Sequence, residues 1–387
     1  MHHISDEQRR FRLARRHLLA PGVQAESPVA VADAVVALHA TDAATVFLSV
    51  CARLCTPSIA AVEKSLYEDL SLARLLSMRN TLFVVSQELA PQIEASNARA
   101  VAAKERRNLL KHLAEDGNGL DERWLAAAEN STLAALTARG TATGSELSAA
   151  VPALRTKITV FPGKKQETVQ GVASRVIRVL AAEGRIRRDR PRGSWTSSQF
   201  RWAAAEPRSA AETAGAQAEL ALRWLRSYGP ASEADLKWWT GWGLGQVRTA
   251  LAAVGAEEVR LDDGATAYVA PGDTGTETAP EPWAALLPAL DPSAMGWADR
   301  GFHLPPEHRA ALFDRSGNIG PTVWWNGRIV GGWAQRATGE PVWRLLTDTG
   351  RDATAAIEQE ASRLAGWVGE ARITPRFRTP LERELTA

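Results

Sequence analysis

The chain has 387 residues, 45% hydrophobic and 23% charged, with 46 Lys/Arg against 44 Asp/Glu. At roughly 100–200 residues per domain this predicts two to four units with a sizeable core and excludes extensive disorder. No apolar run approaches the ~20 residues of a membrane helix, and the two cysteines, Cys51 and Cys55, are too few for a disulfide framework or a zinc site.

The first 22 residues lack an apolar segment followed by a small-residue cleavage site, so no secretory signal is expected and a cytoplasmic address follows. Residues 6–20 read as a helix stopped by Pro21-Gly22. A second helix is expected over 28–38, with proline near its start. An apolar run follows at 44–54, where the four-residue spacing of Cys51 and Cys55 suits one helix face. Between the two lies a polar break, His39-Ala40-Thr41-Asp42. Ser58 is a plausible N-cap for a helix reaching Leu70. Residues 75–85 combine a short polar turn with a strand-like end.

Long helices are expected over 87–130, broken near Gly117-Asn118-Gly119. A short helix starts at Thr143, a loop carries Lys164 and Lys165, and a longer helix covers about 167–183. Arg185 to Thr196 then reads as a β-hairpin with a Pro/Gly tip. The same order recurs further on. A helix at 216–227 and the Gly229-Pro230-Ala231-Ser232 turn precede short and longer helices at 233–239 and 244–254. A hairpin around Asp262-Asp263-Gly264 closes the unit, where Asp-Gly is a strong turn signal. Helix, helix, helix, hairpin is the order of a winged helix-turn-helix. Residues 271–282 form a Pro/Gly/Thr linker. Strands are expected at 322–325, 328–333 and 342–346, with Asn326-Gly327 as a hairpin turn. A last helix at 352–368 precedes a basic tail.

Charge is unevenly distributed. From Arg155 to Arg201 there are 12 Lys/Arg and three acids. Such a concentration suits a face that binds a polyanion, and equally a solvated surface. Thirteen of the 14 tryptophans lie at or after Trp195. The cluster Trp238-Trp239-Thr240-Gly241-Trp242 is too dense for one helix face, so at least one ring should lie on another surface.

Three stretches carry a resemblance: LRWLRSYGPASEADLKWWTG, the region from LLPALDPSAMGW to NGRIVGGW, and SMRNTLFVV. In them, and over most of its length, the chain resembles the winged-helix family of AlkZ/YcaQ-type DNA glycosylases. The resemblance implies an α+β, mainly α fold of tandem winged helices with a C-terminal β-rich segment around a DNA channel. The expected units are 1–118, carrying the motif position; 119–205, with the basic wing; 212–270, a third winged helix; and 283–387, the β-rich part.

It also implies a monofunctional, metal-free and cofactor-free enzyme that hydrolyses the N-glycosidic bond of alkylated purines, with interstrand crosslinks as a further substrate. The family's Gln-x-Gln or Gln-x-Asp motif falls here on Leu38-His39-Ala40-Thr41-Asp42, with His39 and Thr41 in the two glutamine places. His39, Thr41 and Asp42 are therefore the catalytic candidates. A helical backbone at 39–42 would put His39 and Asp42 on one face, whereas an extended one would align His39 with Thr41. Arg79, Lys164, Lys165, Arg185, Arg187, Arg188, Arg190 and Arg192 are the DNA-binding candidates. Trp238, Trp239 and Trp242 fit packing better than base stacking. The expected partner is damaged double-stranded DNA, bound by a monomer without a membrane and at the nucleoid when engaged. The alternative is a DNA-binding or regulatory protein that has lost the reaction.

Overall fold

The structure is a computed structural model that describes residues 2–206, 208 and 211–387; Met1, at the edge of the first expected unit, lies outside them. In chain order the N-terminal part comprises β1 (His2–His3), α1 (Asp6–Arg16), α2 (Pro28–Ala34), β2 (Leu38–His39), α3 (Ala43–Cys51), α4 (Ile59–Tyr67), β3 (Leu72–Leu76) and β4 (Leu82–Ser86). Next come α5 (Ala90–Ile93), α6 (Arg99–Glu115), α7 (Glu122–Arg139), β5 (Thr141–Thr143), α8 (Gly144–Ala150), β6 (Lys157–Val160), β7 (Thr168–Gly171), α9 (Ala173–Ala182), β8 (Ile186–Asp189) and β9 (Arg201–Ala204). Then follow α10 (Thr213–Tyr228), α11 (Glu233–Thr240), α12 (Leu244–Ala253), β10 (Glu257–Arg260), β11 (Thr266–Val269) and β12 (Ala284–Leu287). The chain closes with α13 (Arg309–Leu312), β13 (Thr322–Trp325), β14 (Arg328–Gln335), β15 (Pro341–Leu345), α14 (Gly350–Val368) and α15 (Pro380–Thr386).

Helices thus alternate with small sheets, ordered β2-β4-β3, β5-β9-β8, β6-β7, β1-β10-β11 and β12-β13-β14-β15. The β2-β4-β3 sheet is buried on both sides. Ala73, Leu75, Phe83 and Val85 enter a core shared with α1, α10 and α11. Leu38, Leu72 and Val84 enter a second core with α3, α4 and α14. The two-residue alternation of strand side chains sorts these sets to opposite faces.

Caps place several helix starts. Ser58 accepts from the Ala61 N–H at α4. Thr143 and Glu146 form a capping box at α8, and Ser232 and Asp235 repeat it at α11. Each box satisfies two otherwise orphaned donors reciprocally.

Five expectations are corrected. The helix expected over 28–38 ends at Ala34, because Val36 takes a left-handed φ of 63° and turns the chain into β2. The helix expected from 167 starts at Ala173, since Thr168–Gly171 pairs with Lys157–Val160 as a hairpin. The basic hairpin uses Ile186–Asp189 and Arg201–Ala204, so Arg190 to Phe200 is a long loop and not a second strand. α3 ends at Cys51, leaving Cys51 buried and Cys55 exposed beyond the helix.

The fifth concerns residues 271–278, which are strapped to α1 and do not form a loose linker. Arg12 donates to the Asp273 carboxylate and to the carbonyls of Asp273 and Gly275, while Gln8 bonds Glu277 in both directions. The basic tail also holds one more helix, α15. Among the described residues, no helix is long and apolar enough to cross a membrane.

Candidate active site

The polar break resolves to an extended backbone. Leu38 and His39 pair with Val84 and Phe83, and the Ala40 N–H continues the ladder to Leu82 O. Asp42 is itself extended and caps α3 by accepting from the Ala44 N–H at 3.1 Å. Of the two backbones considered for 39–42, the non-helical one is present.

His39 is buried, with its ring centroid 5.0 Å from that of Phe83. Its Nδ1 is enclosed and has no hydrogen-bond partner among the described residues. Thr41 Oγ1 is in the same condition. Burial first, and the Arg79 charge second, push the His39 pKa down to about 3. His39 is therefore neutral at ordinary pH, able to orient water and a weak acceptor of its proton.

Asp42 is more committed. Its second carboxylate oxygen accepts the Arg376 N–H at 2.8 Å. The carboxylate thus holds the N-terminus of α3 and the C-terminal segment together.

Arg79 lies in the turn between β3 and β4 with a φ of 52°. Its guanidinium carbon is 4.1 Å from the Trp238 ring centroid. Burial lowers its pKa to about 10, and among the described residues no carboxylate pairs with it. Arg300 approaches the same ring at 4.9 Å. Gly241, with φ of 78°, closes α11 against this turn; a Cβ there would sit 3.3 Å from the Arg79 nitrogen. Glycine thus meets both the left-handed backbone and the close approach. Trp239 and Trp242 are buried, and Trp242 Nε1 donates to Asn97 at 2.9 Å. Trp238 is the half-buried ring of the three.

The basic segment divides in two. Lys164 and Lys165 are exposed at the β6–β7 turn. The arginines around β8 are mostly paired within the chain. Arg185 meets Glu129 at 2.8 Å, Arg187 meets Asp189 at 3.2 Å, and Arg192 meets Glu146. Arg190 pairs with Glu63 of α4 at 2.6 Å and with Glu68, just beyond the end of α4, at 3.0 Å. Trp195, in the same loop, is buried 5.2 Å from Phe47 of α3. The loop is therefore fastened to the N-terminal helices. Arg188 differs: it lies 4.0 Å over Phe200 and has no such partner among the described residues.

Two features escaped the sequence. Arg74 sits mid-strand in an apolar run, where it reads as an ordinary edge residue. Arg53 and Asp291 form a fully buried pair at 2.7 Å, supported by Ser49 and by Ser293, which also meets His17. An arginine and an aspartate inside apolar runs were the only signal. Among the described residues, no cluster of three or more His, Cys, Asp or Glu side chains could hold a metal ion.

Comparison with known proteins bears on the family and the fold. The model of a family described as AlkZ-like, DNA glycosylase AlkZ-like, matches residues 32–367. Among solved structures, the chain is similar to Streptomyces sahachiroi DNA glycosylase AlkZ, with a TM-score of 0.70 and 22% identity over 96% of this chain and 98% of that one. At that identity the likeness is one of fold. No curated protein matches the sequence.

Proposed function

The chain belongs to the AlkZ-like DNA glycosylase family, and from that membership we propose that it is a monofunctional enzyme releasing N-alkylated purines from double-stranded DNA through a water held by His39 and Thr41. The observation that supports this is that, among the described residues, His39 Nδ1 and Thr41 Oγ1 are buried without a hydrogen-bond partner, at the positions that the resemblance assigns to the family's glutamine pair.

The chemistry suits those groups. An N7- or N3-alkylated purine carries positive charge and leaves readily with the glycosidic electron pair. The C1′–N bond breaks, a water oxygen bonds C1′, and the purine departs uncharged. The water then loses a proton. A neutral imidazole can hold that water by hydrogen bonding and pass the proton to solvent, a positioned acid–base role. Thr41 supplies a second contact. Asp42 keeps the motif in place through α3 and Arg376. Arg79, cationic and close to His39, suits a DNA phosphate better than the developing sugar cation.

Two stretches support the tandem winged-helix reading: α7-α8-α9 followed by β8–β9, and α10-α11-α12 followed by β10–β11. On it, units 119–205 and 212–270 present DNA-binding elements to a strand crossing unit 1–118, with 283–387 as the β-rich support. Among the described residues the exposed Lys164 and Lys165, and Arg188, have no ion pair, and on this reading they meet phosphate. We further read the enzyme as a monomer, associated with the nucleoid when bound, with interstrand crosslinks as a second substrate class.

The test is single-turnover excision of N7-methylguanine from a duplex, read by alkaline strand cleavage. Wild type should cleave. His39→Ala and Thr41→Ala should slow excision, with His39→Ala the larger loss at about 100-fold or more, the lower range for a positioned acid–base group. Unchanged excision in His39→Ala would remove His39 from the chemistry.

A further inference from the structure

A second cationic site lies behind the β2-β4-β3 sheet. On β4, Phe83 packs on His39, whereas its neighbour Leu82 faces a cavity of about 660 Å3 between α6, α9, β8 and the sheet. Successive strand residues point to opposite faces, so this cavity is separated from the His39 side. Its size lies in the range of small-molecule pockets, about 300–1,000 Å3.

Five arginines line it: Arg74, Arg175, Arg178, Arg187 and Arg188. Three have partners inside the chain. Arg175 donates to His112 Nδ1 at 3.0 Å and to Gln170 at 2.9 Å. Arg178 pairs with Glu105 at 2.7 Å and also donates to Asn80. Arg187 pairs with Asp189. Arg74 and Arg188 stand apart. Among the described residues neither has an ion pair, and the Nε of each is enclosed without a hydrogen-bond partner.

Both line this cavity and also a second, adjoining one. Burial first, and then the charges of Arg74 and Arg376, together lower the Arg188 pKa to about 9. Strands hold both backbones, with Arg74 opposite Val84 and Arg188 opposite Trp202. Two like charges held together in partly buried surroundings are unfavourable unless an anion shares them.

We propose that Arg74 and Arg188 clamp a backbone phosphate of the DNA substrate and that the cavity beside them receives the nucleotide attached to it. This deepens the glycosylase reading and rests on it. A guanidinium fork matches phosphate oxygens bidentately. The wall formed by Leu76, Leu82, Leu109, Ile177 and Trp202 offers an apolar and aromatic surface to a base. β7 contributes Gln170 to that wall, and Lys164 and Lys165 lie in the exposed turn preceding it.

The experiment is a fluorescence-anisotropy titration of a duplex, intact and with one bulged nucleotide, over a salt series. It compares wild type with Arg74→Gln, Arg188→Gln and the double variant. Each single substitution should weaken binding several-fold, lower the salt slope by about one, and affect the bulged duplex more. Arg188 packs on Phe200, so its variant could misfold. Arg74 is half-buried, and Arg74→Gln, with its fold checked by thermal melting, then decides the matter alone. Wild-type affinity and slope in the folded variants would overturn the clamp and leave the glycosylase reading intact. Absence of salt-dependent binding by wild type would instead strike that reading. A third arm titrates deoxyadenosine monophosphate. If its binding requires Arg74 and Arg188 while duplex binding does not, the site serves a free nucleotide and the assignment to the strand fails.

Discussion

Asp42 accepts a hydrogen bond from the backbone N–H of Arg376 at 2.8 Å, although 334 residues separate the two. Its other oxygen caps α3. One carboxylate thus fixes both the start of a helix and the approach of the C-terminal segment, directly beside His39 and Thr41. Asp42→Ala should lose about 1–2 kcal/mol of stability in urea unfolding, the range for a lost cap and a charge-assisted bond. Asp42→Asn, which keeps one acceptor, should lose about half. Excision per folded molecule should fall less than in His39→Ala. Equal loss of excision in Asp42→Ala at unchanged stability would move Asp42 into the chemistry.

His39 titrates near 3, so it is uncharged across the working range. Excision should show no inflection attributable to His39 between pH 5 and 8 in a single-turnover rate profile. His39→Gln should keep a measurable part of the rate, because an amide can still orient water. A limb near pH 6.5 that disappears in His39→Gln would mean that the histidine titrates as an exposed one does.

Of the five buried histidines among the described residues, three have strongly depressed pKa values: His17 and His39, both lowered to about 3, and His303, well below its ordinary value. Burial is the first cause in each. Their folded pKa values lie below the unfolded value near 6.5, so the unfolded chain binds protons that the folded one refuses. Stability is therefore kept above pH 6.5 and falls as pH drops from there towards 3. Each ring contributes up to about 1.4 kcal/mol per pH unit in that window. Urea midpoints measured from pH 7.5 to 4.5 should decline, and His303→Phe should flatten the decline.

The Arg53–Asp291 pair is fully buried, with two guanidinium nitrogens on the carboxylate and Ser49 and Ser293 beside it. Removing one partner strands a charge. Asp291→Ala should cost about 3–5 kcal/mol in chemical unfolding. A loss under about 1 kcal/mol would mean that water reaches Arg53 in solution.

Arg190 and Arg192 are held by Glu63, Glu68 and Glu146, whereas Lys164 and Lys165 are exposed and unpaired among the described residues. Lys164→Gln and Lys165→Gln should each reduce the salt slope of duplex binding by about one. Arg190→Gln should change it little, because its charge is already balanced. The reverse ranking would show that DNA displaces the Glu63 and Glu68 contacts.

The sequence reading was strongest where the signals were local. Ser58 and Ser232 announce their helices, Asp263-Gly264 and Asn326-Gly327 announce their hairpins, and the 213–269 order of three helices and a hairpin was legible throughout. It weakened where distant partners decide. α2 stops early because Val36 turns left-handed beneath a sheet strand that no local pattern reveals. β7 is exposed along its whole length, so it lacks the apolar alternation that would separate it from a helix. The candidate site was legible as a position, since His39 to Asp42 stands out as a polar break. Its chemistry was not: the depressed titration of His39 depends on Phe83 and Arg79, and the pairing of the basic loop depends on α4. Those contacts exist only after folding.

The strap between α1 and residues 273–278 bears on how the molecule is made. Arg12 meets Asp273 across 261 residues, and Arg53 meets Asp291 across 238. A ribosome adding about 5–20 residues per second needs roughly 12–50 seconds to deliver those partners. Throughout that interval Arg12 and Arg16 lack the Asp273 carboxylate, and Arg53 has no counter-charge to enter a core with. The N-terminal helices are thus synthesised well before the partners of Arg12 and Arg53, and Asp42 waits longer still for the Arg376 N–H.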